Sequence, residues 1–72
     1  MYKKYILKIF CNSGNILSFT FFVREGNNLL ESVFKNYKKS IEMCLELKFK
    51  DLLQFNTFIT STQKLKIEEL SI

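Results

Sequence analysis

The stretch LELKFKDLLQFNTFIT, residues 45–60, supports two opposed readings, and the choice between them sets the fold. Its first half alternates apolar and charged side chains like a strand, yet it also continues the helical spacing of the residues before it. No Gly or Pro interrupts it. The preceding helix is expected to end near Leu47. Beyond that point Leu53, Phe55, Thr57 and Ile59 alternate with Gln54, Asn56 and Phe58, which predicts a third strand. In QKLKIEEL, residues 63–70, Leu65 and Ile67 stand between lysines and a glutamate, which predicts a fourth, with TSTQ (60–63) as the turn.

The first third is easier to read. Tyr5, Leu7 and Ile9 alternate with Lys4, Ile6 and Lys8, and Leu17, Phe19, Phe21 and Val23 alternate with Ser18, Thr20 and Phe22. This is the period of two of half-buried strands, over about residues 3–11 and 15–24. A two-residue Ser13-Gly14 loop would split the apolar positions between faces. A three-residue loop Asn12-Ser13-Gly14 instead sets Ile9 opposite Leu17, Leu7 opposite Phe19 and Tyr5 opposite Phe21. It also puts Gly14 where a left-handed backbone is needed.

Asn28 followed by Glu31 has the layout of a capping box and predicts a helix start. Leu30, Val33, Phe34, Tyr37, Ile41, Cys44 and Leu45 share one arc of that helix, which is expected to pack on the odd-numbered sheet face. Glu31 with Lys35, and Lys38 with Glu42, are i,i+4 pairs worth a few tenths of a kcal/mol each. The expected order is ββαββ: an α+β fold with one helix on a four-stranded sheet, as a single domain over residues 1–72.

A hairpin, one crossing helix and a second hairpin resemble the β-grasp plan of ubiquitin-like proteins and of streptococcal antibody-binding domains. YILKI (5–9) and ESVFKNY (31–37) are similar to the corresponding strand and helix of the latter. The resemblance implies that first and last strands lie parallel in mid-sheet, and that Glu31, Lys35 and Asn36 match exposed helix positions used to bind antibody. The chain has no Trp to match that family's anchor, so the fold alone is carried over.

A chain of 72 residues buries about 60% of its unfolded surface, so its stability is expected to be modest. Apolar residues at 47% and charged ones at 25% point to a packed core rather than to disorder. No apolar run reaches the roughly 18 residues of a membrane span, and Lys8 interrupts any signal-peptide core, so no membrane association and a cytoplasmic location are expected. The net charge of +4 comes almost wholly from lysine, which attracts phosphate but lacks the fork that reads base edges. Lys, Asn, Ile, Phe and Tyr make up nearly half the chain, a bias toward AT-rich codons that suggests a low-GC bacterium, its phages or plasmids, or a virus.

Without histidine the ordinary general base near neutral pH is missing, and no Gly-rich phosphate loop is present. The chain is expected to be non-enzymatic and to carry no catalytic, cofactor or metal site. Cys11 and Cys44 lack metal-ligand spacing and are expected to be buried thiols. Binding is the remaining class. On the even sheet face Ile6, Phe10, Ile16 and Phe22, with Phe58 and with Lys4 and Lys8 beside them, are expected to form an apolar patch for a protein partner or a homodimer. An edge strand open to strand addition would serve the same end. The competing reading is nucleic-acid binding, with Lys35, Lys38 and Lys39 as helical contacts. By size, composition and want of chemistry the chain resembles small phage or mobile-element inhibitors such as anti-CRISPR proteins, which implies a protein that masks a host surface.

Overall fold

In the computed structural model, which describes residues 1–71, the elements run β1 (Tyr2–Phe10), β2 (Ile16–Arg24), α1 (Leu29–Leu45), α2 (Leu52–Ser61) and β3 (Leu65–Leu70). The β1–β2 register is the one that the three-residue loop dictates: Ile9 faces Leu17, Leu7 faces Phe19 and Tyr5 faces Phe21. Cys11 N–H donates to Asn15 C=O at 2.8 Å, and Gly14 takes φ +94°, which a side chain would resist. At the start of α1, Asn28 Oδ1 accepts from Glu31 N–H at 3.0 Å.

The fold is α+β, but the expected four strands and single helix are overturned. Three antiparallel strands in the order β2-β1-β3 carry two helices. The β-grasp plan goes with them, because β1 and β3 run antiparallel rather than parallel. The difference lies in residues 53–59, expected as a strand, and in Thr60 and Ser61, expected in a turn, all of which fold within α2. Asp51 caps this helix by accepting from Gln54 N–H at 2.9 Å, and Gln54 Oε1 reaches back to accept Lys50 N–H. The hydroxyls that favour strand are absorbed along the helix: Thr57 Oγ1 donates to Leu53 C=O at 3.0 Å and Thr60 Oγ1 to Thr57 C=O at 2.9 Å. Burial of Phe55 then outweighs the local β preference.

Helix α1 stops two residues before the expected boundary. Glu46 adopts the left-handed conformation at φ 54°, and its N–H and that of Leu47 both converge on Glu42 C=O. The Glu42 carboxylate accepts Phe49 N–H at 2.7 Å, which draws Phe49 under the helix. There its ring meets Phe55 at 5.1 Å and Phe58 at 5.3 Å, while Phe34 meets Phe55 at 5.2 Å. The expected Lys38–Glu42 pair is not formed: Lys38 lies over the Phe34 ring at 5.3 Å, leaving the carboxylate for Phe49.

One core follows from these contacts. Leu7 and Ile9 of β1, Leu65 of β3, Val33, Ile41 and Leu45 of α1, Phe49 and Phe55 form it, with both helices on the odd-numbered face. Tyr37 extends α1 over β2, 5.0 Å from Phe19 and 5.5 Å from Phe21.

Phe55→Ala is expected to cost about 3–5 kcal/mol and to leave a domain of this size largely unfolded, measured by chemical denaturation. Glu46→Gly is expected to gain about 1 kcal/mol in the same assay by relieving the left-handed backbone.

Candidate functional site

Hydrogen-bond parity decides what the sheet offers to a partner. Cys11 N–H donates to Asn15 C=O and Glu25 N–H to Met1 C=O, both at 2.8 Å, so the odd-numbered residues of β2 spend their backbone groups on β1. Ile16, Ser18, Thr20 and Phe22 therefore turn theirs outward, where no strand of the described residues lies, while the Arg24 carbonyl accepts Asn27 N–H at 3.0 Å. At the other edge Phe10 N–H donates to Lys64 C=O at 2.8 Å, so β3 pairs through its even residues and leaves Leu65, Ile67 and Glu69 outward.

The two edges are not equivalent. Within its six residues β3 carries Lys66, Glu68 and Glu69, the usual protection of an edge against further pairing. Strand β2 runs for nine residues, ILSFTFFVR, with Arg24 its single charge, at the very end. It is long, apolar and rich in β-forming side chains, the features that make an edge receptive to another strand.

The broad face opposite the helices carries the even-numbered side chains. Phe22, Lys4 and Leu70 form one row, Thr20, Ile6 and Glu68 the next, then Ser18, Lys8 and Lys66, and finally Ile16 beside Phe10. Ile16 is 57% and Phe22 60% exposed, while Ile6 and Phe10 are half-buried. The expected patch of Ile6, Phe10, Ile16 and Phe22 thus shares one face, but as two apolar ends joined through Ile6. Lys4 Nζ lies 6.0 Å from the Phe22 ring centre, and Lys66 Nζ lies 5.7 Å from that of Phe10. Lys8 stands directly opposite Lys66, a like-charge pair that an anionic partner would relieve.

Phe58 does not belong to this surface, because it sits in α2 against Phe49 on the helical side. Lys35, Lys38 and Lys39 lie on α1, in the other layer, with Lys35 and Lys39 exposed. They do not join Lys4 and Lys8 in one basic surface. Leu70 and Lys66 are members of the open face that the sequence reading did not include. Their place follows from pairing β3 directly with β1, which the expected fourth strand concealed. Among the described residues no group of three or more His, Cys, Asp or Glu side chains is placed to hold a metal, and no helix is long and apolar enough to cross a membrane.

Compared with known proteins, the chain matches no family model, no curated protein and no solved structure.

In the free protein, the amides of Ser18, Thr20 and Phe22 are expected to exchange with solvent faster than those of Phe19 and Phe21. Residue-resolved hydrogen exchange by NMR reads this alternation directly, and uniform protection along β2 would contradict the free edge.

Proposed function

We propose that this is a small, non-enzymatic protein-binding module that captures an extended apolar segment of its partner along the outer edge of β2, with the open face completing the contact. The reading rests chiefly on one observation: the outward row of unpaired backbone groups of Ile16, Ser18, Thr20 and Phe22 in a strand almost without charge. Strand addition draws affinity from those main-chain groups and selectivity from the flanking side chains, here Ile16 and Phe22. Such a module acts by covering a surface, so it needs no reacting group. Its size and composition favour the specific form of a cytoplasmic inhibitor of phage or mobile-element origin that masks a host protein.

A second reading has its own support. Lys4, Lys8 and Lys66 stand among Phe10 and Phe22 on one open sheet, a combination suited to stacking and neutralising a single nucleic-acid strand. A salt titration against generic single-stranded DNA and RNA separates the readings. Steep loss of micromolar binding with added salt supports nucleic acid, and no binding at low salt supports a protein partner.

Thr20→Pro removes an N–H that points away from β1, so the β1–β2 ladder is expected to survive while strand addition fails. With a partner recovered from the native host by affinity capture, this variant is expected to lose binding at least tenfold. Phe22→Ser should weaken it with little change in melting temperature. Full binding by Thr20→Pro would rule out the edge as the docking site, and loss of self-association in sizing chromatography would make the partner a second copy of the chain.

A further inference from the structure

Cys11 and Cys44 stand 33 positions apart in the chain but meet where the β1–β2 turn crosses the end of α1. Asn12 N–H donates to Cys44 C=O at 3.0 Å, and Asn12 Nδ2 donates to Leu45 C=O at 2.9 Å, so the two backbones are held together independently of the thiols. Lys64 Nζ donates to Asn12 Oδ1 at 2.6 Å and fixes that side chain from a third segment. Both thiols are free and half-buried, and both line one surface cavity with Met43 and Leu17. They are close enough for Cys11 to act on the titration of Cys44. The expected buried thiols are instead a half-buried neighbouring pair on a surface cavity.

We propose that Cys11 and Cys44 form a redox-responsive dithiol that closes to an intramolecular disulfide by exchange with a low-molecular-weight disulfide such as oxidised glutathione. A thiolate of the pair attacks one sulfur of the small disulfide, giving a mixed disulfide and one released thiolate, which takes up a proton. The second cysteine gives its proton to solvent and attacks the protein-bound sulfur, releasing the other small thiol. Two protein thiols are oxidised, and one disulfide is reduced to two thiols.

The resulting loop encloses β2 and most of α1, so the bond ties the β1–β2 turn to the end of α1. Burial first, and the neighbouring Cys11 second, push the Cys44 thiol up to about 11, so it stays protonated near neutral pH. Attack by Cys44 therefore quickens as pH rises. Cys11 just past β1, Glu46 at the end of α1 and Lys64 through Asn12 are the titratable groups around it.

The test is to incubate the full chain with oxidised glutathione, then record intact mass and denaturant unfolding. A monomer lighter by two hydrogens, with both thiols lost together and the unfolding equilibrium shifted about 100-fold toward the native state, is the expected result. Cys11→Ser and Cys44→Ser should each gain at most one glutathionyl group and no such stability. Two thiols that remain free, a wild-type chain that halts at the mixed disulfide, or cross-linking only between copies would overturn the pair. A disulfide that forms without raising stability would overturn the clamp.

Discussion

Glu42 accepts hydrogen bonds from three backbone N–H groups, those of Glu46 and Leu47 on its carbonyl and that of Phe49 on its carboxylate. The chain beyond α1 depends on this one residue. The carbonyl ends the helix by satisfying groups that the next turn would have used, and the carboxylate turns the following segment inward. A charged acceptor bound to a backbone donor contributes about 1.5–3 kcal/mol, which outweighs the few tenths of an exposed Glu–Lys pair on the same helix. Phe49 consequently leaves the surface and becomes the ring against which Phe55 and Phe58 pack. The second helix can then form, because its buried side already has something to cover it.

With both helices committed to one face, the sheet is left asymmetric in two senses. On its odd side Leu7, Ile9, Val23 and Leu65 are buried under aromatic and aliphatic cover, and most of its even side chains face solvent as a mixture of charged groups, small hydroxyls and a few large apolar groups. Its edges differ as well, one short and charged, the other long and nearly neutral. The ammonium groups of Lys4 and Lys66, set over the Phe22 and Phe10 rings, place charge beside the apolar groups of the open face.

The hairpin and the start of α1 were legible in the sequence because each was fixed by two agreeing requirements. Register and the left-handed glycine selected the same loop at Asn12-Ser13-Gly14, and the Asn28 cap coincided with the first apolar turn. Residues 45–61 were not legible by the same means. Their alternation of Leu53, Phe55, Thr57 and Ile59 imitates a strand, and the helix ends on Glu46, a residue type that gives no warning of a left-handed backbone. A signal was nevertheless present, since Asp51 and Gln54 repeat the spacing of Asn28 and Glu31. Of the expected binding residues, the four apolar ones on β1 and β2 fell on a shared face because register alone placed them there. Phe58 did not, because its position depended on the misread segment. The meeting of Cys11 with Cys44 was invisible to spacing, being set by where α1 stops over the hairpin turn.

The charges on β3 also limit how far the sheet can grow. A layer whose one flank is shut by Lys66, Glu68 and Glu69 lengthens in a single direction only. A strand added to the other flank would meet no complementary terminus on the same molecule, so association of the proposed kind would halt at a stoichiometric pair rather than propagate into a fibre.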